Sequence, residues 1–286
     1  MTALSLQLFP WFDRIMLAYT VESALSPARD GAILLCRHRA THQLHVVKQV
    51  NRSRATLDSI ANEAMAFKHL RASNCQQVIQ LHDIFSDNKN IYFALEHCAR
   101  GDLYAFLKAM PTQHCSPRRA KAYFTQIATG LAHVHAAGVA HRDLSLENIF
   151  VNADGDLKIG DFGLAVALPA QATAAVGKPY YMAPEMHHGG AYDASKVDVW
   201  SLGILLWMLL TGVPLVEVAT PADDVFMFLK RHGIRALISA WGLAASIPDD
   251  AIAMLELLLV LDAAERPAMT TVINHPYVQS GGPHFG

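Results

Sequence analysis

The stretch His141-Arg142-Asp143-Leu144-Ser145-Leu146-Glu147-Asn148 carries an amide five residues after a carboxylate, and Asp161-Phe162-Gly163 follows thirteen residues after Asn148. Between them, residues 149–151 and 157–159 are typical of two short strands joined by a run of turn formers. A hairpin brings the residues that flank its two strands to the same end, so we expect Asn148 and Asp161 to lie side by side. They would offer two hard oxygen donors suited to Mg²⁺. Asp143, on the same loop, would face a hydroxyl that approaches a metal-bound phosphate.

The composition describes a folded chain of 286 residues, 52% hydrophobic and 17% charged, with a net charge of −2. This charge argues against a general nucleic-acid surface. The apolar run 197–210 is shorter than the ~20 residues of a membrane span and contains Asp198, so we expect a buried helix and no membrane partner. Residues 1–16 lack the basic front of a signal peptide. The four cysteines form no C-x-x-C pair, which predicts reduced thiols and a cytoplasmic location: Cys36, Cys75, Cys98 and Cys115.

The order of elements predicts an α+β protein with two lobes. A small antiparallel β-sheet lobe with one helix comes first, with a β-meander at 17–50, the helix at 55–71 and strands at 78–85 and 90–95. A larger, mainly helical lobe follows, with predicted helices at 102–109, 117–137, 195–211, 222–231, 234–240 and 249–260. Ligand sites favour clefts between such lobes.

One charged residue stands out in the first lobe. In the predicted strand 45–50, Lys48 falls on the same face as Val46 and Val50 because side chains alternate along a strand. A lysine on an apolar face is costly unless it is paired. Glu63, in the middle of the predicted helix, is its natural partner. The alternative is a lysine that reaches solvent from an exposed strand.

Residues 141–163 resemble the catalytic loop and the magnesium loop of eukaryotic protein kinases. The resemblance extends to Ala183-Pro184-Glu185, which ends the segment that holds the acceptor peptide, and to 198–203, the buried helix beneath it. It implies that Arg266 is the ion-pair partner of Glu185. The resemblance covers roughly 17–278 and is of the serine/threonine type, with features similar to calcium/calmodulin-dependent kinases. It implies a kinase domain at 13–278, divided into an N-lobe at 13–95, a hinge at 96–102 and a C-lobe at 103–278, with short extensions at 1–12 and 279–286.

The resemblance also implies ATP and Mg²⁺ as cofactors and assigns roles to the residues that match. Asp143 would orient the acceptor hydroxyl and take its proton, Asn148 and Asp161 would hold magnesium, and Lys48, fixed by Glu63, would anchor the phosphates. Adenine would lie against the apolar residues Leu25, Ile33, Val46, Leu95 and Phe150. The backbones of Glu96 and Cys98 would hydrogen-bond the base, and Asp102 would reach the ribose.

The glycine-rich loop departs from the kinase pattern. Of the three expected glycines only Gly31 is present, and Ser26 and Ala28 occupy the other two positions. Glycine there lets backbone N–H groups approach phosphate without a Cβ in the way. Asp30 adds a negative charge near the loop tip. We expect weaker or slower nucleotide use, or a loop that folds away from the phosphates.

A second departure concerns a cation. Serine/threonine kinases usually carry lysine two residues after the catalytic aspartate and threonine just after the position of Gly177, but here these residues are Ser145 and Lys178. We expect Lys178 to reach Asp143 and the γ-phosphate as a substitute for the missing lysine. The alternative is that Lys178 points to solvent and the enzyme is slow.

The activation segment leaves its regulation open. Arg142 precedes the catalytic aspartate, which is the usual sign that a phosphate on the segment is captured, and Thr173 is the only serine or threonine there. Thr173 lies one position off the usual register. The alternative is a segment that is ordered without phosphorylation.

The sequence therefore predicts a serine/threonine protein kinase that acts on a protein substrate. Glu147 and Asp102 match acidic positions that some kinases use to hold basic residues near the acceptor, although solvated surface acids are an alternative. A pseudokinase that serves as a binding or scaffold module is the alternative function, favoured by the incomplete glycine loop and the absent catalytic-loop lysine. A small-molecule phosphotransferase is disfavoured by the Ala-Pro-Glu segment. The sequence leaves the oligomeric state open.

Overall fold

The computed structural model describes residues 18–28, 30–71 and 75–280. These residues form two compact units: the first holds the described residues up to Ala61 together with Ile79–His97, and the second holds Asn62–Val78 and the chain from Cys98 onward. The division after His97 falls within the predicted hinge at 96–102. The predicted extension at 1–12, Arg29 of the glycine loop and residues 281–286 lie outside the described residues.

The first unit contains the predicted antiparallel sheet, which has five strands. Its strands are β1 (Tyr19–Ala28), β2 (Gly31–His38), β3 (Leu44–Asn51), β4 (Leu81–Ser86) and β5 (Asn90–Glu96), in the spatial order β1-β2-β3-β5-β4. One face of the sheet carries a hydrophobic cluster formed by Tyr19, Leu34, Cys36, Val47, Tyr92 and Ala94. Because neighbours alternate in direction, Val46 and Lys48 lie on the opposite face.

The helix predicted at 55–71 is α1 (Leu57–Leu70), and the division between the units falls within it. The strand predicted at 78–85 begins later than expected, at Leu81. Val78 instead makes a parallel bridge with Ile159 in the second unit, so its apolar character reflects burial there.

The second unit is mainly helical. Its helices are α2 (Leu103–Lys108), α3 (Pro117–Ala136), α4 (Ala194–Thr211), α5 (Asp224–Ala240), α6 (Asp249–Leu258), α7 (Met269–Ile273) and α8 (Pro276–Gln279). Side chains of Ser116, Asp193 and Asp223 accept backbone N–H groups at the starts of α3, α4 and α5, as N-cap residues do. Gly233, with φ of 79°, interrupts α5 between the two helices predicted there. The short helices α7 and α8 were not predicted.

Three pairs of short antiparallel strands complete the second unit. They are β6 (Val139–Ala140) with β9 (Val166–Ala167), β7 (Ile149–Val151) with β8 (Leu157–Ile159), and β10 (Gln171–Ala172) with β11 (Tyr192–Asp193). The β7–β8 hairpin has the strand bounds that the sequence predicts. It therefore brings the residues before β7 and after β8 to the same end.

Helix α4 forms the centre of this unit, with Trp200 and Trp207 fully buried. Among the described residues it is the one helix long and apolar enough to cross a membrane, but 83% of it is buried inside the protein. The prediction of a buried core helix is confirmed. Asp198, in the second turn of α4, is only 1% exposed and accepts hydrogen bonds from the catalytic loop.

Gly130 allows helix α3 to pack closely against Gln77 and against Ile159 of strand β8. A Cβ at Gly130 would lie 2.9 Å from the Gln77 carbonyl oxygen and 3.0 Å from Ile159 Cδ1. The Gln77 carbonyl cannot move freely because it accepts a hydrogen bond from the Ile159 N–H at 2.8 Å. Close packing of helix and strand therefore requires glycine here.

We predict that Gly130→Ala lowers the free energy of unfolding. Overpacking costs about 1–3 kcal/mol. Alanine gains about 1 kcal/mol over glycine as a helix former, so a net loss of about 1 kcal/mol is expected in urea unfolding. Gly190→Ala is the control, because nothing lies within 4 Å of a Cβ there. A Gly130→Ala variant as stable as the unmodified protein would contradict this packing.

Candidate active site

The catalytic loop is anchored by the buried carboxylate of Asp198. Its Oδ1 accepts the Arg142 N–H at 2.7 Å, and its Oδ2 accepts the His141 N–H at 2.7 Å and the His135 Nε2–H at 2.8 Å. These bonds compensate for burial of the charge. The sequence did not assign this role to Asp198, although a single acid inside an apolar helix was the available signal.

His141 links the catalytic loop to the loop after β8. Its Nδ1 accepts the Asp143 N–H at 3.2 Å, so Nε2 carries the proton and donates to the Gly160 carbonyl at 3.0 Å. The imidazole packs on the Phe162 ring at a centroid distance of 5.0 Å, and Phe162 packs on Phe67 at 5.4 Å. The fully buried rings of His141 and Phe162 thus fix Asp143 and Asp161 on one framework.

Asn148 holds Asp143 in place. Its Nδ2 donates to the Asp143 backbone carbonyl at 2.7 Å and to Asp143 Oδ2 at 2.8 Å. Because the amide nitrogen faces Asp143, the Asn148 Oδ1 lies on the other side of the planar amide. The arrangement fixes the carboxylate and directs an oxygen donor away from it.

Asn148 directly precedes the β7–β8 hairpin and Asp161 follows it, so both residues lie at the same end of the hairpin. Ile149 pairs with Ile159 in the β7–β8 ladder, and the Gly160 N–H donates to the Asn148 carbonyl at 2.9 Å. Asp161 is therefore the residue directly after the partner of Asn148, and it is exposed. Its φ of 59° lies in the left-handed region, a strained conformation that clusters at functional sites.

Asn148 and Asp161 fit a magnesium ion that is shared with a nucleotide. Mg²⁺ is usually held by one or two protein oxygens, with waters and phosphate oxygens completing its coordination. Within residues 18–28, 30–71 and 75–280, no group of three or more His, Cys, Asp or Glu could hold a metal by itself. Asn148 and Asp161 alone would leave the other coordination positions of the metal to waters and phosphate oxygens.

Lys178 lies against the catalytic loop. Its Nζ donates to Ser145 Oγ at 2.9 Å and lies 3.8 Å from Asp143 Oδ1 and 4.0 Å from Glu147 Oε2. The predicted proximity to Asp143 is confirmed, and the alternative of a lysine directed to solvent is not what the structure shows. Asp143 Oδ1 is shielded from solvent and has no hydrogen-bond partner among the described residues, which leaves the ion pair with Lys178 as its polar contact.

Gly177 makes this approach possible. It has φ of 92°, which favours glycine, and a Cβ there would lie 3.0 Å from the Arg142 carbonyl oxygen and 3.3 Å from Asp143 Oδ1. The activation segment can pass this close to the catalytic aspartate only without a side chain at Gly177.

Two tyrosines after Lys178 contact the catalytic loop as well. The Tyr180 hydroxyl donates to Glu147 Oε1 at 3.1 Å, and the Tyr181 hydroxyl accepts the Leu146 N–H at 3.0 Å. Burial, reinforced by the negative charge of Glu147, raises the pKa of Tyr180 to about 12, so its hydroxyl stays a donor at neutral pH. Neither of these two contacts was predicted from the sequence.

The end of the activation segment is fixed by a buried ion pair. Arg266 donates from Nη1 to Glu185 Oε1 at 2.7 Å and from Nη2 to Glu185 Oε2 at 3.1 Å. Arg266 also donates to the carbonyls of Lys196 and Val260 at 2.7 and 3.0 Å. The predicted pair is confirmed, and it has the bidentate geometry of strong Arg–carboxylate contacts.

Arg142 is bound by protein groups in this structure. Its Nε donates to the Leu164 carbonyl at 2.8 Å and its Nη1 to the Tyr192 hydroxyl at 3.5 Å. Tyr192 in turn donates to the Ala174 carbonyl at 2.6 Å, next to the exposed Thr173. These contacts connect Arg142 to the activation segment, and phosphorylation of Thr173 stays a prediction.

In the first unit, four predicted nucleotide contacts share one face of the sheet. Ile33 lies opposite Lys48 and Val46 lies opposite Leu95, and directly opposed residues in antiparallel strands point to the same side. Leu25 lies at an irregularity of β1 and is 50% exposed. The structure thus places Ile33, Val46 and Leu95 on the same face of the sheet as Lys48.

The other residues predicted to contact the nucleotide make hydrogen bonds within the protein or lie buried. The Glu96 N–H donates to the Gln80 carbonyl at 2.9 Å, the Cys98 carbonyl accepts the Gly101 N–H at 3.1 Å, and Asp102 Oδ1 caps α2 by accepting the Ala105 N–H at 2.8 Å. Phe150 lies in β7 opposite Lys158, and Glu63 is 3% exposed. These residues are divided between the two units, and their shared role in nucleotide binding stays a prediction.

Gly31 is required by strand packing. A Cβ at this position would overlap the carbonyl oxygen of Gln49 in β3. The β1–β2 pairing continues to Ala28 and Gly31, which leaves only two residues between the strands. The one glycine kept in this loop therefore has a structural reason that does not depend on phosphate.

The comparisons with known proteins agree with this framework. The family "Protein kinase domain" matches residues 19–278. Maternal embryonic leucine zipper kinase is 29% identical in Danio rerio and 27% identical in Xenopus laevis, across 92% and 94% of this chain. Serine/threonine-protein kinase Aurora-1 of Arabidopsis thaliana is 30% identical, across 91% of this chain and 86% of its own length. The chain spans 38% and 40% of the lengths of the two leucine zipper kinases.

The antiparallel sheet, the helical unit and the family match together define a protein kinase fold. The chain belongs to the protein kinase family, and within it to the eukaryotic serine/threonine type. The predicted features of calcium/calmodulin-dependent kinases stay a prediction.

Proposed function

We propose that this chain is an active kinase that transfers the γ-phosphoryl group of ATP to a serine or threonine hydroxyl of a protein. One observation carries the proposal: Asn148 holds the Asp143 carboxylate at the end of the hairpin that bears Asp161. This arrangement supports the proposal, because phosphoryl transfer uses a residue that orients the acceptor hydroxyl close to the ligands of a magnesium ion.

In the proposed reaction Asp143 orients the acceptor hydroxyl and takes its proton. The hydroxyl oxygen forms a bond to the γ-phosphorus as the bond to the β-phosphate oxygen breaks, which gives a phosphoester and ADP. The protein contributes mainly by positioning and by stabilising charge. Lys48 anchors the α- and β-phosphates, and Glu63 orients Lys48.

Asn148 and Asp161 would hold the magnesium. When bound, the metal neutralises charge on the phosphates. The Asn148 amide oxygen can serve as a ligand because the amide nitrogen is already hydrogen-bonded to Asp143.

We also propose a cytoplasmic location, which is supported by four buried cysteines without a disulfide.

Lys178 is proposed to replace the lysine that the catalytic loop lacks. Its bond to Ser145 and its distance of 3.8 Å from Asp143 support this role, because the exchanged residues contact each other. We predict that Lys178→Ala lowers kcat by about 10²-fold, as loss of a charge-stabilising group does. Steady-state phosphorylation of a peptide, with KM for ATP measured alongside, checks this.

The double variant Ser145→Lys/Lys178→Thr is the matched test, since it restores the usual kinase arrangement. We expect it to recover most of the turnover that Lys178→Thr alone loses. Unchanged turnover in Lys178→Ala would remove Lys178 from the mechanism. Thermal unfolding of each variant separates lost chemistry from lost folding.

A radiolabelled-ATP assay on a peptide library, run beside Asp143→Asn, tests the function itself. Transfer that depends on Asp143 supports the kinase. A folded protein that transfers no phosphate would instead favour a binding or scaffold module, which the single glycine of its loop and the serine at position 145 would suit.

A further inference from the structure

Glu147 lies on the catalytic loop two residues after Ser145, and both its carboxylate oxygens face the activation segment. Oε1 accepts the Tyr180 hydroxyl at 3.1 Å, and Oε2 lies 4.0 Å from the Lys178 ammonium. Oε2 is shielded from solvent and has no hydrogen-bond partner within the described part of the chain. Both oxygens of this carboxylate therefore already contact groups of the activation segment, although the Glu147 side chain is 28% exposed.

The charges give a second reason why Glu147 does not need a cation from the substrate. Lys178 lies between two carboxylates, 3.8 Å from Asp143 and 4.0 Å from Glu147, and its bond to Ser145 at 2.9 Å fixes it there. The ammonium already compensates part of the negative charge of Glu147, so this carboxylate attracts a substrate guanidinium less strongly than an unpaired acid would. The other predicted acid, Asp102, uses Oδ1 to cap α2.

We infer that Glu147 is an internal counter-ion of Lys178, and that the acceptor site takes protein segments without requiring a basic residue upstream of the serine or threonine. This inference rests on the proposed function and deepens it, because it names the substrate class of the same site. It replaces the basic-directed preference that the sequence suggested. Glu147 then acts as a positioning residue through Lys178.

The test compares peptides in pairs. The two members of a pair differ only by arginine or alanine at one position upstream of the acceptor. Wild-type protein and Glu147→Gln are assayed for kcat/KM with both peptides. We expect the arginine-to-alanine ratio to be near one in both proteins, while Glu147→Gln changes kcat for both peptides alike. A recognition acid would give a ratio of about tenfold or more, as hydrogen bonds to charged groups do.

A strong arginine preference that Glu147→Gln abolishes would overturn the inference while it supported the kinase function. Absence of transfer to every peptide would count against the kinase function instead. The inference is then tested by measuring peptide affinity with fluorescence anisotropy. Equal binding of the arginine and alanine peptides would support it, and tighter binding of the arginine peptide would overturn it. Thermal unfolding shows that Glu147→Gln is folded, as an isosteric change should allow.

Discussion

Replacement of Asp143 by asparagine is expected to lower kcat by about 10²–10⁴-fold, the usual contribution of a positioned general base. The substitution keeps the size of the side chain but removes its ability to take the hydroxyl proton. Asn148 would lose a charge-assisted hydrogen bond to Oδ2 but keep its bond to the backbone carbonyl of residue 143. The loop should therefore keep its fold, and nucleotide affinity should change little.

Single-turnover phosphorylation and ATP titration of the same preparations check this result. Asp154→Asn is a matched control: it makes the same chemical change in the exposed turn of the β7–β8 hairpin. We expect Asp154→Asn to retain full turnover. An Asp143→Asn protein that turned over at the wild-type rate would mean that another group takes the proton, and the assignment of the site would be wrong.

The parts of the site that the sequence predicted are those built from neighbouring residues. The β7–β8 hairpin depends on two short strands and the turn between them, and local preferences suffice to place Asn148 beside the residue before Asp161. The pair of Glu185 and Arg266 joins residues 81 positions apart, and it was predicted through the resemblance to kinases. Spacing alone could not have found it.

The parts that were missed depend on tertiary contacts with no local pattern. Asp198 binds loop residues 56 and 57 positions away, and its sequence signal was only a charge within an apolar run. The contact between Tyr180 and Glu147 depends on how the activation segment folds over the catalytic loop, 33 positions away. Their partners become visible only when the chain is folded.

The environment of Lys178 was identified by combining the sequence with the structure. A departure from the kinase pattern at two positions suggested that a cation and a hydroxyl had been exchanged, and the structure places these two side chains 2.9 Å apart. The sequence could not show that Glu147 shares the same ammonium, because nothing in the pattern links positions 147 and 178. The proposed substrate preference follows from that third contact.

Replacement of Arg266 by methionine is expected to lower the free energy of unfolding by about 3–5 kcal/mol, the cost of breaking a buried ion pair from one side. The Arg266 side chain is fully buried and Glu185 is 19% exposed, so the remaining carboxylate would lose its counter-ion where water reaches it poorly. The carbonyls of Lys196 and Val260 would also lose their donor. Urea unfolding gives the measurement.

The chain offers a control in a bidentate arginine–carboxylate pair on the surface. Arg235 makes a bidentate pair with Glu256 at 2.9 and 3.1 Å and a further contact with Asp249, but its side chain is 49% exposed. Exposed pairs contribute little because water screens them, so Arg235→Met should hardly change stability. Equal losses in the two variants would show that burial does not set the contribution of the Arg266 pair. A much larger loss for Arg266→Met would show that burial makes the ion pair at the end of the activation segment important for stability.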